Sequence, residues 1–390
     1  MKRSRTLDIC RGLLFAMMAN THALSLAGVP HTHWLFADYW LPNGWATAAF
    51  VVLSGYGIGW IFSATYDEPE RRRLLRRRSA IVLAVMFASN AFFAAVKSVL
   101  LGHGAQTLTS QWWLGFFTLD TEWTISGVLL PTALVLLCGS AVIRWIRDAP
   151  WQTLLAIVLG HLAASMFAEQ LATSDAARSW PVRFFLLEGF GGYPVLPFMA
   201  NGFMGIWLGV QRHRDKQLWL NIVVVLMGLQ LAAYLSTLEP HGQAWSLFRA
   251  NVGAVGKFAW VLFCASLLSR LPLAPLTLPV ALIGKYALAS FILHRVVMQA
   301  LSLGIGDLGF VQLPVELHFA TLWLGTLATT WVACIFWQRR NLPMVPTLQR
   351  EQLFPRDDYR TRQASLQDLQ PFAAPQKHCI ARLRRFMALR

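Results

Sequence analysis

The sequence predicts an all-α protein, a polytopic integral membrane bundle of about ten transmembrane helices with both termini on the cytoplasmic side. Of the 390 residues, 56% are hydrophobic and only 14% are charged, which is unusual for a soluble domain. The mean hydropathy is +0.47. Apolar stretches of about 20 residues, the length that a helix needs to cross ~30 Å of hydrocarbon, recur along the chain. Because lipid offers the backbone no hydrogen-bonding partners, these stretches are predicted to be helices.

The predicted spans follow one another along the chain with short polar connections. They lie at residues 8–28, 44–65, 79–101, 126–145, 151–169, 193–211, 217–236, 249–270, 277–303 and 316–338. Because this number of spans is even, both termini are expected on the same side of the membrane.

The distribution of basic residues identifies that side as the cytoplasm. Seventeen Lys and Arg residues flank the spans on the N-terminal side: Lys2, Arg3, Arg5, Arg71–Arg73, Arg76–Arg78, Arg144, Arg147, Arg212, Arg214, Lys216, Arg270, Arg339 and Arg340. The opposite loops contain only Arg178 and Arg183. Cytoplasmic loops carry such an excess of basic residues. The net charge of +15 is therefore attributed to topology and to contact with membrane lipids, and no nucleic-acid partner is predicted.

The chain is predicted to divide into a membrane domain, residues 1–338, and a basic cytoplasmic tail, residues 339–390. The tail is polar and contains proline, so we expect it to be largely disordered or to lie on the membrane surface. The first apolar stretch lacks a convincing small-residue cleavage site and is expected to remain as the first span. The five cysteines form no CxxC pair, and no metal site is predicted.

The first span, "LDICRGLLFAMMANTHAL", carries three polar groups that lipid penalises: Asp8, Arg11 and His22. Arg11 and His22 are eleven positions apart. Eleven steps along an α-helix bring a side chain back to within ~20° of the same direction, after a rise of ~16 Å. Ionisable residues within a membrane are candidates for function. The alternatives are snorkelling of Arg11 or pairing with Asp8, and for His22 an interhelical hydrogen bond. We interpret Asp8 as a structural partner of Arg11.

The second span contains "FVVLSGYGIG", in which Ser54 and Gly55 begin a series of small residues. Small side chains allow another helix or a slender ligand to approach closely, and the sequence leaves both possibilities open. The run "RRRLLRRR" follows, at 71–78, and is expected to form a cytoplasmic loop. Its guanidinium groups, including those of Arg72 and Arg73, suit phosphates of a lipid or of a nucleotide-bearing donor.

The ninth span contains polar groups that could line a substrate path. Ser290 and His294 share a helix face, while Lys285 and Arg295 add two charges to the same apolar segment. Arg183, in the outer segment "WPVRFFLLEGFGG", is a further candidate for this path.

Together these motifs resemble the superfamily of transmembrane acyltransferases, which includes the acyltransferase-3 family and the OpgC type. The resemblance rests on "LDICRG", on Arg11 and His22 as R-x10-H, on "FVVLSGY", on the Arg run and on "LIGKYALASFILH". It implies transfer of an acetyl or succinyl group from cytoplasmic acyl-CoA, a co-substrate rather than a permanently bound cofactor, to a hydroxyl of an envelope glycan. It further implies a multi-pass location in the cytoplasmic (inner) membrane.

By this resemblance His22 is the catalytic residue, and Arg11 binds the acyl donor. A neutral His suits a general base near pH 7, and Ser54 or the backbone near Gly55 could stabilise the oxyanion. Acylation of His22 itself is the alternative route. A transporter or flippase for a glycan or small anion and an N-acyltransferase acting on an amino sugar remain alternative functions. The sequence leaves the oligomeric state open.

Overall fold

The computed structural model describes residues 4–36, 41, 44–100, 109–117, 126–175, 182–187, 194–235, 243–271, 274–304 and 313–340. Regular structure in these residues is entirely helical. The α-helices are α1 (Arg5–Leu26), α2 (Ala46–Phe62), α3 (Pro69–Leu100), α4 (Ser110–Phe117), α5 (Ser126–Asp148), α6 (Pro150–Ala172), α7 (Val195–Arg214), α8 (Lys216–Leu235), α9 (Gln243–Arg270), α10 (Ala274–Lys285), α11 (Ala287–Ser302) and α12 (Val315–Arg340). A 3-10 turn (Trp34–Phe36) and a π-helical turn (Arg183–Leu187) complete them.

A helix lies at each of the predicted spans, which confirms the all-helical class. Six helices of the described chain are long and apolar enough to cross a membrane, and α10 with α11 makes a seventh if the bent pair is one span. The exact number of ten spans and the orientation of the termini remain predictions. The division at residue 338 also remains a prediction, because residues 341–390 of the tail lie outside the described part.

Two elements differ from the expectation. The Arg run was expected to form a loop, but α3 begins at Pro69 and the run forms its first turns, because arginine has a high helix propensity. The ninth span was expected to be one helix, but α10 and α11 meet at Tyr286 with a bend of 100°. An apolar run has the same pattern on both sides of such a bend, so hydropathy alone does not locate it.

Helices α2 and α7 pack against each other through glycines. A Cβ at Gly55 would overlap the Gly202 carbonyl, and a Cβ at Gly205 would overlap the Val52 carbonyl. The corresponding contact one turn further along α2 is between Gly59 and Ile206. The two backbones therefore touch over two turns, as expected for small residues spaced four apart in a membrane helix. Of the two possibilities that the sequence left open for Gly55, close approach of another helix is the one found in the structure.

A second glycine contact fixes α10 across the first turns of α1. A Cβ at Gly12 would overlap the Val280 carbonyl, and a Cβ at Gly284 would overlap the Asp8 carbonyl. After the bend at Tyr286, α11 runs beside α1, where His294 contacts Phe15. The crossing thus determines which residues of α11 face the first helix.

Helix α12 completes the surroundings of α1. The indole Nε1 of Trp323 donates a hydrogen bond to the Ala16 carbonyl at 3.0 Å. Near the C-terminal end of α1, buried side chains of α1, the segment that follows it, α11 and α12 form one apolar cluster: Ala19, Ala23, Leu24, Val29, Leu35, Met298, Phe319 and Leu322. His33 Nε2 lies 3.2 Å from Glu316 Oε1 and links this segment to the start of α12.

We predict that Gly205→Val destabilises the protein, whereas Gly160→Val does not. Valine at position 205 would collide with the α2 backbone, which cannot move aside as a flexible side chain can, and overpacking of this kind costs about 3 kcal/mol. A Cβ at Gly160, on the exposed face of α6, meets nothing within 4 Å. Thermal unfolding of the purified protein in detergent measures both effects. Equal melting temperatures for the two variants would contradict the role of the α2–α7 contact.

Candidate functional site

Arg11 lies in the cytoplasmic half of α1 according to the predicted topology, and its charge is paired. The Arg11 Nη1 atom lies 3.2 Å from Asp8 Oδ1, one helical turn earlier. Asp8 is buried and Arg11 is partly buried. The structure thus contains the pair that the spacing of these residues allowed. Asp8 orients the guanidinium group along the helix, as a structural partner would.

The guanidinium group of Arg11 also faces the glycine-rich helix and the start of α3. A Cβ at Gly57 would lie 3.9 Å from Arg11 Nη2, so this glycine contributes only backbone beside the charge. Arg78 has Arg11 and Arg71 as its charged neighbours, and its Cζ lies 5.9 Å from the centre of the Phe62 ring. The guanidinium group of Arg78 therefore lies near those of Arg11 and Arg71, which are paired with Asp8 and Glu68. A site of this charge suits an anion with several phosphate oxygens.

The remaining donor-site candidates of the Arg run are exposed, as Arg78 is. Arg72 Nη2 lies 2.9 Å from Asp67 Oδ1, and both side chains are exposed. Arg73 is also exposed. Arg71 Nε lies 3.3 Å from Glu68 Oε2. The turn between α2 and α3 thus provides carboxylate partners for Arg71 and Arg72. The member of the run that lies near Arg11 is Arg78.

This turn also contains a hydrogen bond that changes two ionisation equilibria. The Tyr66 hydroxyl donates to the Asp67 carboxylate, which raises the pKa of Tyr66 and lowers the pKa of Asp67. Arg72 lowers the pKa of Asp67 further. Both effects favour the charged carboxylate, so Asp67 remains an anionic partner of Arg72 at neutral pH.

Ser54, the second candidate for donor binding, makes a local contact. Its Oγ donates a hydrogen bond to the Phe50 carbonyl at 2.8 Å, within the same helix. Serine hydroxyls in apolar helices commonly satisfy themselves in this way. The role of Ser54 in donor binding stays a prediction.

His22, near the C-terminal end of α1, is stacked on a second histidine. The rings of His22 and His294 have centroids 5.6 Å apart and an interplanar angle of 23°. Phe15 and Phe291 approach the His294 ring edge-on, at 5.4 and 5.6 Å between centroids. Arg295 is the charged neighbour of both histidines. The structure therefore brings His22 of the first predicted span together with His294 and Arg295 of the ninth.

His294 is fully buried, with 0% exposure. Within the part of the chain that the structure describes, neither of its ring nitrogens makes a side-chain hydrogen bond of normal geometry; the backbone of Ser290 and Phe291 lies beside the ring. Two hydroxyls of α12, those of Thr326 and Thr330, are equally buried and have no partner among the same residues. A buried polar group without a hydrogen bond costs about 1–3 kcal/mol. Such a cost in a protein core points to a functional requirement.

The other candidates of the substrate path make contacts of their own. Ser290, one turn before His294, donates to the Ile283 carbonyl at 3.2 Å. Lys285 lies at the end of α10, with Nζ 5.2 Å from the centre of the Tyr286 ring. Arg183 begins the π-helical turn, but its side chain lies outside the described residues. A search of the described part of the chain finds no cluster of three metal-ligating His, Cys, Asp or Glu side chains.

Sequence reasoning missed three features of this site. It did not single out Arg78 within the run, the stacking of His294 on His22, or the threonines of α12. Thr326 and Thr330 are spaced four apart on an apolar helix, which was the available signal. The pattern of one helix does not reveal which helix it faces, so these relations required the fold.

Comparison with protein families gives a match over most of the chain. The family model described as "Acyltransferase domain", that of the acyltransferase-3 family, matches residues 5–338. The match covers all described helices except the last two residues of α12. A search of individual curated proteins finds no significant match.

We predict that Asp8→Asn lowers stability by about 2 kcal/mol, because a partly buried guanidinium would lose its carboxylate partner. Asp67→Asn is the matched control: it removes an ion pair of similar length, 2.9 Å against 3.2 Å, but an exposed one. Exposed pairs contribute about 0–1 kcal/mol. Chemical denaturation of the two purified variants compares these losses. A loss for Asp67→Asn as large as that for Asp8→Asn would show that burial of the Arg11 pair has no special weight.

Proposed function

The chain belongs to the acyltransferase-3 family, and from this we propose that it is a multi-pass O-acyltransferase of the cytoplasmic (inner) membrane. It moves an acetyl or succinyl group from cytoplasmic acyl-CoA to a hydroxyl of an envelope glycan. The family membership supports acyl transfer, and the apolar helices support a membrane location. The donor, the acceptor and the acyl group are the parts that we propose.

One observation supports the donor and acceptor ends of this reaction above all others. Arg11 and His22 lie on one seam of α1, and each meets a different group of residues: the arginines of α3 at one end and the histidine of α11 at the other. The helical rise between them is ~16 Å. This suits an acyl-CoA whose phosphates lie beside Arg11 and Arg78 while its thin pantetheine arm extends towards His22.

In the proposed reaction His22 acts as general base. It takes the proton of the sugar hydroxyl as the hydroxyl oxygen attacks the thioester carbonyl, forming the new C–O bond. Breaking the C–S bond then releases the CoA thiolate, which receives the proton from His22 and leaves as the thiol. His22 is thereby restored to its neutral form. His22 stacks on His294, which is buried between Phe15 and Phe291, and such apolar surroundings favour neutral imidazole, the form that a base requires.

We expect His22→Ala to abolish acyl transfer without unfolding the protein, because no other described side chain occupies its position on the seam. Arg11→Ala should likewise reduce transfer, through weaker donor binding. The assay supplies radiolabelled acetyl-CoA or succinyl-CoA and envelope glycans to membranes that contain the full chain. His213→Ala, at an exposed end of α7, is the control. Full activity of a folded His22→Ala variant would exclude His22 as the essential base.

The same assay separates the proposal from transport and from amide formation. Movement of glycan or anion across sealed vesicles without acylation would favour a transporter or flippase. An alkali-stable product would favour an N-acyltransferase, since an ester is cleaved by alkali. Mass spectrometry of envelope glycans with and without the gene identifies the acyl group and the acceptor together.

A second prediction concerns the charge beside Arg11. Arg78→Ala should raise the KM for acyl-CoA by about tenfold, because a charge-assisted hydrogen bond to phosphate contributes about 1.5–3 kcal/mol. The value of kcat should change little, since Arg78 neighbours Arg11, which a helical rise of ~16 Å separates from His22. Arg214→Ala, which removes an exposed arginine at the end of α7, is the control. A KM that stays the same in Arg78→Ala would remove Arg78 from the donor site.

A further inference from the structure

The segment that follows α1 forms a turn with fixed contacts. The His33 amide donates to the Pro30 carbonyl at 2.9 Å, and the Phe36 amide donates to the His33 carbonyl at the same distance. His33 Nδ1 accepts a hydrogen bond from the Leu35 amide at 3.3 Å. Leu35 is buried in the apolar cluster that joins α1, α11 and α12. The residues on both sides of Trp34 are therefore held in place.

Trp34 is the residue that this turn presents at the surface. It is 53% exposed, whereas its neighbour Leu35 is 4% exposed. The indole ring lies beside the imidazole of His33, with ring centroids 5.9 Å apart. A large aromatic ring is thus kept at the surface by anchored neighbours.

A carboxylate extends this surface. Because His33 Nδ1 accepts a hydrogen bond, the neutral imidazole carries its proton on Nε2, which donates to Glu316 Oε1 at 3.2 Å. The Glu316 side chain is 51% exposed. The side chains of Trp34, His33 and Glu316 form one continuous surface, the outer patch, which lies on the outer side of the membrane according to the predicted topology.

The outer patch lies near the level of His22. Trp323 of α12 donates to the Ala16 carbonyl, and seven residues, a rise of ~10 Å, separate Trp323 from Glu316. Six residues, a rise of ~9 Å, separate Ala16 from His22. Since α12 begins beside the C-terminal end of α1, both rises run in the same direction. Glu316 and His22 therefore lie at similar heights in the bundle.

An indole ring beside a carboxylate suits a sugar. The C–H face of a pyranose ring packs on an aromatic ring, and a carboxylate, which only accepts hydrogen bonds, binds sugar hydroxyls. Membrane lipid suits this pair less well. An exposed tryptophan alone is typical of a membrane interface, but a carboxylate beside it repels the phosphates of lipid headgroups.

We propose that the outer patch is the acceptor-binding site, and that it takes an uncharged, hydroxyl-rich sugar of the envelope glycan. The sugar ring stacks on Trp34 while one of its hydroxyls donates to Glu316, and His33 holds the carboxylate in place. A neighbouring part of the same glycan then reaches His22, which lies at a similar height. The inference rests on the proposed function, because it identifies the bound sugar as part of the acceptor.

The test measures the KM for glycan separately from the KM for acyl-CoA. The acceptor is the envelope glycan fraction of cells that lack the gene, because this protein has not acylated it. We expect Trp34→Ala to raise the KM for this fraction about tenfold, while the KM for acyl-CoA and the kcat at saturating glycan stay near wild type. Glu316→Gln, which keeps the shape of the side chain, should raise the KM for glycan about fivefold. Trp34→Tyr keeps an aromatic face and should retain most of the affinity.

Two exposed residues at the predicted cytoplasmic end of α5 provide matched controls. Trp145→Ala removes a tryptophan that is 61% exposed, and Asp148→Asn removes a carboxylate whose side chain is 67% exposed. Neither change should alter the KM for glycan. Should Trp34→Ala fail to fold, Trp34→Leu takes its place, because leucine is apolar but has no aromatic face.

Glycan binding is also measured without acyl transfer. The same glycan fraction should raise the melting temperature of the purified wild-type protein in detergent, since a ligand that binds the folded state stabilises it. This increase should be absent from Trp34→Ala and retained in Trp145→Ala. Acyl-CoA should stabilise both variants equally.

Three results would overturn the inference: an unchanged KM for glycan in Trp34→Ala, an equal rise in Trp145→Ala, or a rise in the KM for acyl-CoA as large as that for glycan. Loss of Trp34→Ala from the membrane fraction with an unchanged KM for glycan would instead identify Trp34 as a lipid anchor.

These failures are distinguishable from failure of the proposed function. If the wild-type protein transfers no acyl group but is stabilised by glycan only when Trp34 is present, the proposed function fails and the outer patch remains a glycan site. If wild type is active, folded His22→Ala is inactive and Trp34→Ala binds glycan normally, only the outer patch is lost.

Discussion

The rest of the site depends on the contact between the backbones of α1 and α10. Gly12 and Gly284 leave so little space that neither position accepts even a methyl group. The crossing holds α10 against the first turns of α1, and the bend of 100° at Tyr286 then directs α11 along the first helix. His294 meets His22 as a consequence of this path. A glycine contact at one end of the helix thus determines which side chains meet further along it.

Lipid makes this arrangement energetically demanding, because each polar group in the membrane needs a partner within the protein. Arg11 has Asp8, one turn away on the same helix. Ser54 and Ser290 use backbone carbonyls of their own or a neighbouring segment. The histidine pair is different, since His294 is enclosed by aromatic rings and stacks on His22. The two ends of the α1 seam therefore differ in kind: one is charged and paired, and the other is aromatic and desolvated.

In the proposed reaction this difference matches the two parts of the co-substrate. Phosphates require fixed positive charge, which three arginines from two helices provide. The attack of the hydroxyl on the thioester requires a neutral base, which the stacked histidines provide. The glycine-rich face of α2 serves both needs: Gly55 and Gly59 pack against α7, while Gly57 leaves space beside Arg11. One short motif thus supports the fold on one side and the proposed donor site on another.

The sequence by itself determined the helical class, the positions of the helices, the pairing of Asp8 with Arg11, and the family. These follow from hydropathy, from helical spacing within a single segment and from short motifs, all of which are local properties. The close packing at Gly55 was one of two interpretations that small residues allowed, and the fold decided between them. The path of α10 and α11, the position of Arg78 near Arg11, and the meeting of His22 and His294 were decided only by the tertiary structure. The physical reason is that a helix presents residues on a face according to its own period, whereas the helix that it faces is fixed by backbone contacts between distant segments.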